Sequence, residues 1–245
     1  MASQANDSEP TLIVGAASGI GAVLAHALAE AGERLILADL READLGAVAA
    51  GLASQGADVV AHQVDLADPA SIDSLLGRLP PLRRAALVAG ICEKVPALEA
   101  TRAQFERMLS VNYLGTFQLA QGLAARMAQR GGGGSLVAVT SGAAKYPMPT
   151  IAAYAGSKAA VTAALKVLAL EVAPRGVRIN FVLPGPTRTP MLFSDPTALA
   201  AAIPLGRINE PEDIANAVAF LLSDKSAMMT MRELSSDGGQ MLGMG

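Results

Sequence analysis

Short apolar runs alternate along this chain with helix-like stretches, and that alternation restricts the fold more than any other feature. The first unit is the clearest. Thr11-Leu12-Ile13-Val14 reads as a strand, Gly15-Ala16-Ala17-Ser18-Gly19-Ile20-Gly21 as a glycine-rich turn, and the residues to Ala31 as a helix. Further strands are expected over residues 34–38, 58–64, 85–89, 136–140 and 177–183, with a last one near 232–235. Strands separated by helices predict an α/β fold with a parallel sheet and ligands along the edge where the strands end.

The 245 residues suffice for one such domain, expected over residues 10–245, with residues 1–9 as a loose polar tail. Hydrophobic residues make up 51% but aromatics only 3%, and Trp is absent, so the core must be built from Ala, Val, Leu and Ile. A helix capped by Thr101 is expected to run from about residue 102 towards Arg130, with a bend near Asn112. An Asn in so apolar a stretch is costly unless satisfied, so it either bonds neighbouring backbone or serves a site. The run Arg130-Gly131-Gly132-Gly133-Gly134-Ser135 falls between a helix and a strand and reads as a surface loop. Another helix opens at Glu210-Pro211-Glu212 and reaches Leu222.

Composition excludes several functions. A net charge of −3 without any basic run argues against nucleic acid. The single Cys92 rules out an internal disulfide and a cysteine-rich metal site, which fits a cytoplasmic protein. His26 and His62 lack ligand spacing, so no metal is expected. The first ten residues are polar and unlike a signal peptide. The longest apolar run, residues 159–173, contains Lys166 and Glu171 and reads as a buried helix, so no membrane association is expected.

Three places carry candidate chemistry. A strand, a glycine turn and a helix together bring backbone N–H groups and a helix N-terminus up to a phosphate, although G-x-x-x-G-x-G differs from the G-x-G-x-x-G fingerprint and a tight turn also wants glycine. Asp39 ends the second strand about 20 residues later. It would accept from ribose hydroxyls and repel a 2′-phosphate, favouring NAD over NADP, or else it starts a turn or caps the next helix. Tyr154 and Lys158 lie four apart in a helical run, on one face and one turn apart. Taken alone, that pair reads first as a partly buried aromatic beside a solvated charge.

Together these residues resemble the short-chain dehydrogenase/reductase family over nearly the whole chain, from Leu12 to about Gly239. The resemblance rests on Gly15-x-x-x-Gly19-x-Gly21, Asp39, Asp65, Asn112, Ser141, Tyr154-x-x-x-Lys158, Pro184-Gly185 and Thr189 in register. It implies a doubly wound Rossmann fold of about seven strands and a nicotinamide cofactor, NAD. The implied catalytic set is Ser141, Tyr154, Lys158 and Asn112. Gly15, Ser18, Gly19, Ile20, Gly21, Asp39, Leu40, Asp65, Leu66, Ala89, Gly90, Pro184, Gly185, Thr187 and Thr189 would join Tyr154 and Lys158 in holding the cofactor. Two departures stand out. Val14 replaces the family's usual Thr, and Leu87-Val88 its usual Asn-Asn, which predicts lowered stability or cofactor affinity.

The implied activity is hydride transfer between a secondary alcohol and NAD, with Tyr154 as acid/base. A cation about 4 Å away at an effective dielectric near 20 contributes about 4 kcal/mol, roughly three pKa units, so Lys158 is expected to bring the phenol down. Carbonyl or 3-oxoacyl reduction is the alternative, and a non-catalytic nucleotide-binding protein the second. The stretch from Ser141 to Tyr154 is similar to dehydrogenases of cyclic dihydrodiols. Lys94, Lys145 or Arg188 would meet a substrate carboxylate, or are solvated surface cations. Cys92 lines the pocket or is a plain buried thiol. Residues 187–209 form a flap over a mostly apolar ligand, unless Met191, Leu192 and Phe193 pack in the core. The helix over residues 152–173, apolar nearly all round, predicts burial on both sides and a homo-oligomer, dimer or tetramer.

Overall fold

The structure, a computed structural model, describes residues 9–146 and 148–241. Residues 1–8 of the expected tail lie outside it, while Glu9 pairs with Arg130. The chain runs β1 (Thr11–Val14), α1 (Gly19–Glu30), β2 (Leu35–Asp39), α2 (Glu42–Ser54), β3 (Val59–Gln63), α3 (Pro69–Arg78) and β4 (Arg84–Leu87). It continues through α4 (Arg102–Leu109), a π-helical segment (Ser110–Gly115), α5 (Thr116–Arg130), β5 (Gly134–Val139), α6 (Ala152–Val172) and β6 (Val177–Pro184). The short α7 (Pro196–Ala200), α8 (Pro211–Leu222) and β7 (Glu233–Ser236) follow.

All seven strands are parallel, in the order β3-β2-β1-β4-β5-β6-β7. Parallel neighbours need crossovers, and the helices that supply them cover both faces. Successive strand residues point to opposite layers. Leu12 and Val14 join one core with Leu75 of α3, Leu119 of α5 and Leu165 of α6. Ile13 joins the other with Leu24 of α1, Leu45 of α2 and Ile214 of α8. Strand order reverses between β1 and β4, which opens a crevice at their C-terminal ends.

Several boundaries differ from expectation for identifiable reasons. β4 stops at Leu87 because the N–H groups of Val88 and Ala89 both turn to the Val14 carbonyl, at 2.8 and 2.9 Å, and the ladder ends there. The helix expected over residues 102–130 is three pieces, and the anticipated bend is the π segment. Thr101 caps its start in a reciprocal box with Gln104. β5 begins within the glycine run, at Gly134.

The two departures at the centre of the sheet turn out to be one. Val14 and Leu87 are register partners on β1 and β4, 1% and 4% exposed, and pack in the same core. An apolar pair thus replaces a polar one, so the loss of stability expected from Leu87-Val88 has a local offset.

The helix α6 buries only one side within the chain. Ser157, Lys158, Val161, Leu165 and Leu168 face inward, whereas Val167 and Leu170 are exposed. Residues 187–209 leave β6 and return to α8 with their ends stitched together. A bridge joins Thr187 to Asn209, the Asn209 N–H donates to Pro186 and the Arg188 N–H to Asn209. Met191 and Phe193 are exposed and Leu192 half-buried, so these three are not core, whereas Ile203 and Ile208 of the same segment are buried.

Candidate active site

The glycine turn sits at the mouth of the crevice, where β1 passes into α1. A Cβ on Gly21 would lie 2.0 Å from the Gly15 carbonyl oxygen, so only glycine lets the turn close this tightly. Ser18 precedes α1 without capping it through its side chain, and the first turn of α1 carries no acidic residue. Such an N-terminus suits an anion. Ile20 packs beneath against the core. Thr189 closes the turn from above, its Cγ2 3.2 Å from where a Cβ on Gly19 would stand.

Asp39, at the end of β2, makes a turn with its side chain, one of the readings its position allowed. Its Oδ2 accepts from the Ala17 N–H of the glycine turn at 3.0 Å, and its Oδ1 from the Arg41 N–H at 3.0 Å. The carboxylate therefore fixes the turn while its remaining lone pairs stay available. Leu40 beside it is exposed. Past β3, Asp65 accepts from the Ala67 N–H at 2.7 Å. The Leu66 side chain lies in the core, so whatever it offers a nucleotide comes from its backbone.

Gly90, following Ala89 after β4, is where the nucleotide cleft meets the catalytic candidates. A Cβ there would lie 3.0 Å from Lys158 Nζ and 3.2 Å from Asn112 Oδ1. Asn112, 1% exposed on the π segment, is fully used: its Oδ1 accepts from the Ile91 N–H at 2.8 Å, and its Nδ2 donates to the Ile91 carbonyl at 2.8 Å and to Ser157 Oγ at 3.0 Å. Ser157 in turn donates to the Tyr154 carbonyl at 2.7 Å. The first alternative for Asn112 holds: it satisfies backbone, that of Ile91, which follows Gly90.

Ser141, at the end of β5, accepts from the Ala143 N–H at 3.1 Å and forms a hydrogen bond with the Tyr154 phenol. Lys158 Nζ donates to the Val139 carbonyl at 3.1 Å and stands 5.8 Å from the Tyr154 ring centre. One bond leaves that ammonium further donors for a ligand. The expected lowering of the phenol does not hold for the protein alone. Burial pushes the Tyr154 phenol up to about 12, against the opposing Ser141 bond, and lowers Lys158 to about 8. Desolvation disfavours both charged forms. Cys92 is half-buried in the electrostatic range of both, its thiol raised by burial although Lys94 and Lys158 act to lower it.

The far wall is Pro184-Gly185, whose Gly185 N–H donates to Ser236, followed by Thr187, which donates to the Gly185 carbonyl at 2.9 Å. The three candidate cations for a substrate carboxylate are engaged within the chain. Lys145 pairs with Glu233, which also takes Lys166 of α6, and Arg188 pairs with Glu210 at 3.0 Å. Lys94 donates to Ser194 Oγ of the 187–209 segment at 2.6 Å. Sequence reasoning missed Arg41, whose side chain crosses to Ser18 at 2.7 Å. Its position just past Asp39 was the available signal.

The cradle thus fits a dinucleotide: small residues, open N–H groups and a carboxylate on one side, an ammonium with spare donors on the other. Comparison with known proteins agrees. A family model described as enoyl-(acyl carrier protein) reductase matches residues 15–241. The 2,3-dihydro-2,3-dihydroxybenzoate dehydrogenase of Bacillus subtilis is 34% identical over 250 residues, covering 95% of either chain. The D-threitol dehydrogenase of Mycolicibacterium smegmatis is 37% identical over 248 residues, 95% of this chain and 93% of that one. A solved short-chain type dehydrogenase/reductase from Mycobacterium marinum has a TM-score of 0.89 at 32% identity and covers 95% of each chain.

Proposed function

The chain belongs to the short-chain dehydrogenase/reductase family of oxidoreductases acting on CH–OH groups, and from that premise we propose that it moves hydride between a cyclic secondary alcohol or diol and NAD, with Tyr154 as acid/base. The observation that carries this reading is the convergence of Ser141, Tyr154 and Lys158 beside Gly90, at the edge where the glycine turn opens.

Each side chain has a task in alcohol oxidation. Ser141 holds the substrate oxygen against the phenol. Tyr154 takes the hydroxyl proton, and Lys158 favours the phenolate by its charge while its spare N–H groups meet ribose hydroxyls. Asn112 keeps Ile91 in place and helps relay protons towards Lys158 through water. When bound, NAD would supply the hydride acceptor and, in its oxidised form, a positive charge that favours the phenolate. Asp39 supports NAD over NADP through repulsion of a 2′-phosphate. In the reverse direction Tyr154 returns the proton to a reduced carbonyl.

The names of the two relatives, a dihydrodihydroxybenzoate and a threitol dehydrogenase, support a substrate with neighbouring hydroxyls. Residues 187–209 act as the flap over it. A homo-oligomer, dimer or tetramer, and a cytoplasmic location complete the reading. Among the described residues no helix is long and apolar enough to cross a membrane.

The test is a screen of cyclic alcohols and diols with NAD, following absorbance of the reduced cofactor. With a substrate found, Tyr154→Phe is expected to lower turnover by at least about two orders of magnitude. Near-normal turnover in that variant would sink the assignment.

A further inference from the structure

The segment that follows β7 reaches back to the catalytic residues. Met241 is 6% exposed and packs in the same core as Ala138 of β5 and Val161 of α6. Its thioether lies against Gly142, the residue after Ser141: a Cβ there would stand 2.8 Å from Sδ and 3.3 Å from Cγ and Cε. Gly142 opens the 3₁₀ turn Gly142–Ala144, in which the Ala143 N–H donates to Ser141 Oγ and the Ala144 N–H to the Ser141 carbonyl, each at 3.1 Å. The turn that aims Ser141 at the phenol thus has a side chain from beyond β7 pressed on its first residue.

Asp237, 8% exposed, bends this segment into a hook: its Oδ1 accepts from the Gly239 N–H at 3.0 Å and its Oδ2 from the Met241 N–H at 2.7 Å. Two bonds on two oxygens require a carboxylate, since an amide offers one acceptor atom. On its other side Asp237 abuts Gly185, where a Cβ would stand 2.9 Å from both Asp237 Cα and Cβ. The hook therefore rests against the residues that follow β5 and β6 at once. The geometry points to Asp237 and Met241 as positioning residues: the carboxylate folds the hook, and the thioether it delivers holds the Gly142 turn so that Ser141 meets the substrate oxygen. An unbranched thioether suits such a gap, because it shapes itself to the backbone it covers. The inference rests on the reading of Ser141 as the group that holds the substrate oxygen, and extends the site to the segment beyond β7.

Hydrogen exchange and steady-state kinetics of the full chain test this, with a substrate found by the screen above. Met241→Ala is expected to speed exchange at the Ala143 and Ala144 N–H groups and to lower kcat by at least about tenfold, with NADH affinity changed by less than about twofold. Because the Ser141 bond acts to lower the Tyr154 phenol, the pH profile of kcat should also move to higher pH, which lost stability alone would not cause. Met241→Leu, close in volume, is expected to keep kcat within about threefold of wild type. Asp237→Asn is expected to act as Met241→Ala does, and carries the test if that variant does not fold. Wild-type kcat and pH profile in these two variants overturn the inference and spare the proposed function. Normal turnover in Ser141→Ala overturns both.

Discussion

Lys158 is 5% exposed, and its ammonium titrates near 8 because burial disfavours the charge. Unfolded, the same group has an ordinary value of 10.5, so between about 8 and 10.5 the unfolded chain holds a proton that the folded chain has released. Stability must then rise with pH through that window, by up to about 1.4 kcal/mol per unit. Tyr154 and Cys92 act in the opposite sense above their unfolded values, because their folded values are raised. Urea denaturation at pH 8 and pH 9 should show the rise in wild type and a smaller one in Lys158→Met; equal slopes would refute the role of burial. The spacing of Tyr154 and Lys158 was legible in the sequence, and so was the chemistry it suggested. The depth of the pair was not, because burial depends on strands and loops far away in the chain. For Arg41 the sequence offered only its position just past Asp39, because its bond to Ser18 is made across 23 residues.

The π segment, Ser110–Gly115, is the element on which the site depends most. Its wider turn puts Asn112 where one amide can serve the Ile91 backbone after β4 and Ser157 on α6. Asn112→Ala would leave the Ile91 N–H and carbonyl without this partner in a tight place. We expect it to cost about 2–4 kcal/mol of stability in urea melts and to lower turnover as well. Unchanged stability would mean that water takes over those groups. The sequence placed a bend near Asn112 but not its kind, because a single widened turn barely alters a run of apolar residues spaced for a helix. All seven strands were read within a residue or two; the largest of these offsets are at β4, ended by two N–H groups sharing one carbonyl, and at β5, which starts inside a glycine run that looked like loop. The helices α2, α3 and α7 were not delimited from the sequence, and α1 starts at Gly19, inside the expected turn.

For the molecule as a whole, the alternation of strands and helices was enough to foresee a parallel sheet clothed on both sides, but not which faces would stay bare. Val167 and Leu170, 59% and 64% exposed, lie three apart on the outer side of α6, and Leu114 of the neighbouring π segment is 59% exposed. Bare aliphatic side chains such as Val167 and Leu170 on one helix face are expected to meet another copy. Light scattering at micromolar concentration should report a homo-oligomer, and Val167→Asp with Leu170→Asp should reduce its size; a wild-type monomer would dismiss the idea. Val14 and Leu87, both departures from the expected family pattern, face each other in the sheet interior. A lone Asn at 87 would bury an amide against a valine, and a lone Thr at 14 would bury a hydroxyl against a leucine, each a burden of about 1–3 kcal/mol. Val14→Thr together with Leu87→Asn is therefore expected to cost less stability than the two single changes sum to, because the polar groups introduced can meet each other across the two strands.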